Sequence, residues 1–416
     1  MSQATRILLA LGAGLALGIT AFAWVPGFAA GAANVADPIG TLWLNGLRLT
    51  IVALLVTGIA QTAAAAKAGA VAGRALAWIV AIMAFSAVMG AILTPLFLAI
   101  APMPAESAAA LRDALTTVEP AGPVPPFADF LRSIVPTNPV FAGANDQILP
   151  LIIFTGVFAF AVTRLPAEPR GRLTSFFSAL ADAMIIVIEW VLKLAPIGVF
   201  ALAFVVGARS GAAAFNALIH YIVLISAVGV VMSLLAYPVA VLGGRIALGR
   251  FAREVAPVQA LAISTQSSLA CLPIMLKRSE ALGVPERTAG IVLPLAVALL
   301  RATGPAMNLA VALYVASWFG IVLGPAQYAI AIFAAMMTSM GSVSLPGQVS
   351  FITAIAPICL VLGVPIEALG LLIAVEVLPD IIRTLGNVMM DVAVTTTVSR
   401  QTGETHDDPE ELAAAA

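Results

Sequence analysis

Charge is scarce in this chain. Lys, Arg, Asp and Glu make up 10% of its 416 residues, 61% are hydrophobic, and the mean hydropathy is +1.07. Soluble domains carry about a quarter charged residues, so the composition excludes a soluble protein and points to a polytopic one in the lipid bilayer. Cysteine is nearly absent. Cys271 and Cys359 both lie in apolar segments, which leaves no basis for a disulfide framework or a cysteine metal site. Two histidines, no metal-ligand spacing and no nucleophile elbow argue against a membrane enzyme, a resident metal or a cofactor. A net charge of −1 with no basic cluster among aromatics gives no sign of nucleic acid.

The few charges that are present fall in a pattern. Near the C-terminus, Glu376, Asp380, Arg383, Thr384, Asn387 and Asp391 recur mostly at steps of three or four residues. That spacing stacks them on one face of a helix whose remaining surface is Leu378, Ile381, Ile382, Leu385 and Val388. A charge at mid-bilayer depth costs about 2.5–3.5 kcal/mol on insertion scales. Four ionisable groups in one spanning helix therefore read as the lining of a buried polar site, and the chain reads as a transporter. Arg383 presents a planar fork suited to a carboxylate; the competing role is a structural partner for Asp380.

Apolar runs fall near 5–28, 42–63, 77–102, 147–165, 172–208, 214–243, 286–319 and 366–398. The first ends in Trp24-Val25-Pro26 without a sharp cleavage context, so it reads as a spanning helix, not a signal peptide. Cations crowd one side: Lys67, Arg74, Arg164, Arg170, Arg172, Arg245, Arg250, Arg253, Lys277, Arg278 and Arg287. The other side receives only Arg112, Arg132 and Arg209. By the positive-inside rule both termini are cytoplasmic and 103–145 is a Pro-rich outer loop.

Two more stretches, 252–278 and 325–363, are apolar but interrupted. The first begins and ends with cytoplasmic-type charge, so it should enter and leave on one side, with its tip at Ser264 to Pro273. The second behaves likewise from the outside, with its tip at Gly341 to Gln348. Paired interrupted segments point to an inverted-repeat transporter with a site at the membrane midplane; ordinary kinked helices are the other reading.

Several of these segments resemble, in order, the dicarboxylate/amino acid:cation symporter family, the glutamate transporter homologues. Val255 to Ser268 resembles the family's first hairpin, although Leu269 stands where a third serine is usual. Lys193 to Ala201 resembles its fifth helix, Gly341 to Gly347 its second hairpin, and Asp380-Ile381-Ile382-Arg383-Thr384 with Asn387 and Asp391 its substrate-binding eighth helix. The resemblance implies an all-α polytopic membrane protein with eight transmembrane helices and two re-entrant hairpins. It would be a homotrimer in a bacterial-type inner membrane, each protomer working by an elevator motion. The implied organisation is scaffold helices 1–2 over 1–76, a transport-domain helix 3 over 77–102, the outer loop, and scaffold helices 4–5 over 146–208. The rest of the transport domain then covers 214–398, and the cytoplasmic tail 399–416.

The resemblance also implies roles. Arg383 would hold the substrate's side-chain carboxylate and Asp380 its ammonium, which favours aspartate or glutamate over a C4-dicarboxylate. Thr384 and Asn387 would add hydrogen bonds to the ammonium and α-carboxylate. The backbone around Ser267, Ser268, Val343 and Ser344 would complete the α-carboxylate cradle. One departure stands out. Where the family has Asn-Met-Asp-Gly, contributing sodium ligands, this chain has Leu300-Arg301-Ala302-Thr303-Gly304, and no acid occurs from Thr288 to Gly320. Hard cations need oxygen ligands, usually including a carboxylate. Arg301 is therefore expected to act as a tethered cation paired with Asp391, beside Gly304-Pro305 where the helix should unwind. Sodium is then not expected, and protons are the alternative driver, because a carboxyl in a low-dielectric cavity can take up a proton near neutrality. Glu376 and Asp391 are the candidates, and Glu376 could share a proton with Asp380 one turn away. Uncoupled exchange is equally open, and an anion channel is the reading from another class.

Overall fold

A computed structural model describes residues 3–48, 69–114, 132, 135–145, 148–341, 347–366, 368–373 and 375–404. Helices account for nearly all of it, and no strand occurs among the described residues. A lipid-facing backbone has no water to bond with, so each spanning segment must satisfy its own N–H and C=O groups. Among the described residues, four helices are long and apolar enough to cross a membrane: Ala70–Ile100, Ala167–Val191, Phe215–Gly243 and Glu286–Trp318. Shorter apolar helices cover Leu9–Trp24, Ile153–Thr163 and Ala195–Arg209.

The first elements are α1 (Gln3–Trp24), α2 (Pro26–Arg48), α3 (Gly69–Ile100), α4 (Ala105–Ala114), α5 (Pro139–Ala144), α6 (Ile148–Thr163) and α7 (Ala167–Lys193). Next come α8 (Ala195–Leu234), α9 (Leu248–Thr265), α10 (Leu272–Ala281), α11 (Glu286–Leu299) and α12 (Gly304–Trp318). The chain closes with α13 (Pro325–Gly341), α14 (Gly347–Val361), α15 (Ala368–Leu372) and α16 (Val377–Thr402).

The boundaries depart from the apolar runs in two places. Pro26 does not open a loop, because proline at a first helical position fits; α2 follows at once and carries Pro38 inside it. The second run, 42–63, lies mostly outside the described residues. The run 172–208 is two helices, interrupted at Leu194 with Pro196 in the first turn of α8. Near its middle α8 bends at Gly211, where φ is +59°. That left-handed value is open to glycine and strained for other residues.

On the N-terminal side of this bend α8 packs against α1 and α2, with Gly14 and Gly18 of α1 against Phe200 to Ala208 and Trp43 of α2 against Gly198. On the C-terminal side it packs against α16, which also touches α3, α9 and α11. The first expected hairpin is a helix pair: α9 ends at Thr265, Gln266 takes φ +51° and caps it, and α10 returns from Leu272 beside α9. For the second, α13 and α14 pack together, and the tip carrying Val343 and Ser344 lies outside the described residues. Between α11 and α12 the helix is broken. Leu300 is extended (φ −84°, ψ 98°) and regular helix resumes at Gly304-Pro305, the unwinding expected beside Arg301.

Candidate functional site

The polar stripe of α16 is buried. Glu376, Asp380, Arg383, Thr384, Asn387 and Asp391 are each at most 8% exposed, whereas Leu378 is 36% exposed. The helix thus turns its polar face inward and part of its apolar face outward, as expected when the exterior is lipid.

Arg383 is the hub. Its Nη2 donates to Glu376 Oε1 as a buried ion pair. Its Nη1 donates to Asn308 Oδ1 at 2.5 Å, and its Nε lies 3.5 Å from Asp380 Oδ1. Glu376 is held in turn by the Tyr221 hydroxyl, which donates to Oε2 at 2.7 Å. Asn308 Nδ2 donates to Ser339 Oγ at 3.1 Å, so the guanidinium is tied through α12 to the first arm of the second helix pair. A buried guanidinium needs this many partners, since an unpaired charge at such depth would cost several kcal/mol (order of magnitude). Glu376 therefore spends its oxygens on Arg383 and Tyr221 and makes no hydrogen bond to Asp380, in place of the shared proton expected from spacing alone.

Asn387 has a different set of partners. Its Oδ1 accepts from the Thr303 N–H at 3.0 Å and from the Thr303 hydroxyl at 2.9 Å. The same hydroxyl reaches the Arg383 carbonyl at 3.0 Å, so the broken segment is fastened directly to α16. A Cβ on Gly386 would collide with Ser233 Oγ and Thr303 Cγ2, so glycine permits this close approach.

Arg301 sits in the break, partly exposed. The expected direct pairing with Asp391 does not form. Arg301 lies near both Asp380 and Asp391, and its Nε has no hydrogen-bond partner among the described residues. Both carboxylate oxygens of Asp391 are buried without one among the described residues. Asp380 and Asp391 lie about three turns apart on α16, and Arg301, carried by the break after the extended Leu300, is near both without an ion pair to either among the described residues. Ser267 and Ser268 occupy the turn between α9 and α10, partly buried. Ser267 Oγ accepts from the Ala270 N–H at 3.2 Å.

Sequence reasoning missed Asn308, Tyr221 and Thr303. A lone Asn in an otherwise apolar helix was the available signal for the first. Thr303 was visible only as part of the segment Leu300 to Gly304 that departs from the family's motif, and nothing local marked Tyr221.

This all-helical fold, with a charge-lined buried site among spanning helices, is that of a membrane transporter. Residues 4–401 match the model of the Sodium:dicarboxylate symporter family, and the chain belongs to that family. It is 28% identical to the "Proton/glutamate-aspartate symporter" of Escherichia coli over 372 residues, covering 86% of this chain and 83% of that protein. Identity to the "Proton/sodium-glutamate symport protein" of Bacillus caldotenax is 26% over 383 residues, 89% of each chain. A "C4-dicarboxylate transport protein" of Agrobacterium fabrum is 28% identical over 419 residues, 98% of this chain and 89% of that one. The protein is thus a multi-pass membrane transporter, not an enzyme, of the dicarboxylate and acidic amino acid class.

Proposed function

We propose that the chain carries aspartate or glutamate together with protons and without sodium. The observation that carries this reading is the opposed pair on α16: Asp380 beside the Arg383 fork, both buried and one turn apart. An acidic amino acid presents a cation and two carboxylates, and this pair is complementary to the ammonium and one carboxylate. Thr384, Asn387 and the turn at Ser267 and Ser268 supply further donors, joined by the tip at Val343 and Ser344.

Proton coupling is supported by chemistry at Glu376. Its carboxylate already occupies Arg383 Nη2, so an incoming substrate carboxylate must share the guanidinium with it. Protonating Glu376 releases that bond and favours the substrate, which makes proton and substrate bind together. Asp391 is the second candidate carrier. Arg301 supplies a fixed positive charge near Asp380 and Asp391 in the segment that lacks any acid.

The proposal includes the elevator motion of a homotrimer in an inner membrane, with both termini cytoplasmic. The bend at Gly211 falls between the segments assigned to scaffold (146–208) and transport domain (214–398), where a hinge is needed. A second reading, a C4-dicarboxylate carrier, is favoured by one observation: Arg301 already supplies a positive charge near Asp380, the carboxylate assigned to the ammonium.

Competition separates the two. Labelled aspartate uptake by proteoliposomes should be inhibited by unlabelled aspartate and glutamate and not by succinate. Uptake of labelled succinate with no uptake of labelled aspartate would replace the first reading by the second.

A further inference from the structure

We propose that Thr303 is a positioning residue that sets which end of the Asn387 amide faces the site, so that this position reads a carboxylate and offers no oxygen to an ammonium or a metal cation. The inference deepens the proposed function and rests on its reading of the same site.

The argument begins with a donor that cannot accept. The Thr303 backbone N–H lies 3.0 Å from the Asn387 side chain, and an N–H can only donate. The atom facing it must be Oδ1, whichever way the amide is first drawn. In an unbroken helix the N–H of residue 303 would bond to the carbonyl four residues earlier. Here α11 ends at Leu299 and α12 starts at Gly304, so the break frees this N–H for Asn387.

The hydroxyl strengthens the assignment. Thr303 Oγ1 donates to Asn387 Oδ1 at 2.9 Å, its proton also reaching the Arg383 carbonyl at 3.0 Å. Two donors converge on one carbonyl oxygen, which has two lone pairs. What Asn387 retains is its NH2 group, with two donors and no acceptor. A carboxylate oxygen can use those donors; an ammonium or a metal ion cannot. Of the two contacts foreseen for Asn387, the one to the α-carboxylate remains and the one to the ammonium is ruled out. The ammonium contact is left to Asp380 and Thr384.

Asn308 follows the same logic. Its Oδ1 accepts from Arg383, which has no acceptor, and its NH2 faces Ser339. Both asparagines near the guanidinium are thus oriented by donor-only partners, one by a broken helix and one by the guanidinium itself.

The test uses purified full-length protein in sodium-free buffer, titrated with aspartate and with succinate by calorimetry, alongside its melting temperature. Asn387→Asp keeps an oxygen for Thr303 and turns the site-facing group from donor to acceptor. The buried carboxylate should lower the melting temperature, and Kd for the substrate measured on the folded protein should rise by roughly 30-fold or more, the loss of a charge-assisted hydrogen bond replaced by repulsion. Thr303→Val removes the hydroxyl and keeps the methyl that packs on Gly386; Kd should rise roughly fivefold. Thr303→Ser keeps the hydroxyl, drops the methyl and should return Kd to about the wild-type value, which a packing role would not do. Binding by Asn387→Asp within threefold of wild type overturns the amide orientation, and equal Kd for the Val and Ser variants overturns the positioning role of the Thr303 hydroxyl. If wild type binds succinate and not aspartate, the amino-acid reading fails, while the same variants still test Thr303 with succinate.

Discussion

Glu376→Gln separates charge from shape at the hub of the site. In the wild type, Oε1 accepts from Arg383 Nη2 and Oε2 accepts from the Tyr221 hydroxyl at 2.7 Å. Glutamine keeps an oxygen for the guanidinium and turns an NH2 toward a hydroxyl that can accept from it, so the geometry survives. What disappears is a negative charge competing with the substrate carboxylate for Arg383. A hydrogen bond to a charged group contributes about 1.5–3 kcal/mol, which corresponds to roughly a 10- to 150-fold difference in affinity. If protonation of Glu376 releases that bond, wild-type substrate affinity should weaken by up to that factor as pH rises through the titration of Glu376. The Gln variant mimics the protonated state at every pH, so its affinity should stay at the low-pH value. Asp380, 3.5 Å from Arg383 Nε, still balances the guanidinium and limits the loss of stability. The assay is substrate Kd from pH 5 to 9, paired with uptake driven by an inward proton gradient. The variant should bind and exchange substrate while losing accumulation. A Gln variant with the wild-type pH slope would refute the reasoning and move attention to Asp391.

Other perturbations test separate parts of the account. Asp380→Ser removes the carboxylate assigned to the ammonium; aspartate affinity should fall by roughly tenfold or more while succinate affinity holds or improves, read by competition. Arg301→Met leaves Asp380 with one cation fewer and Asp391 with none nearby, and should lower the melting temperature and abolish net uptake; unchanged stability and transport would show that Arg301 is no tethered cation. Gly386→Ala forces a Cβ against Ser233 and Thr303, and should cost about 1–3 kcal/mol of stability, measured by thermal denaturation.

The parts of the molecule that were legible in the sequence have local causes. The stripe from Glu376 to Asp391 was visible because charge is rare and helical spacing is a property of neighbours. The helix break before Gly304 follows from Gly-Pro chemistry, and the turn between α9 and α10 was marked by its run of Ser and Thr ahead of Leu272-Pro273. Partner choice was not legible. Arg383 meets Asn308 across 75 residues and Tyr221 meets Glu376 across 155, and nothing in either stretch announces the other. The Arg301–Asp391 pair is a related case: charge complementarity was correct in kind, since the two act on each other, but no ion pair or hydrogen bond joins them among the described residues. The helix over 26–48 was obscured by Pro26 and Pro38, residues that read as loop when a first-position role and a tolerated kink are equally available to them.

The most direct test of the central claim is uptake of labelled aspartate and glutamate by proteoliposomes under separately imposed proton and sodium gradients. The account predicts accumulation driven by inward protons and indifferent to sodium. Accumulation that requires sodium would contradict it, and would mean that a cation site has been rebuilt from residues other than those of the broken helix.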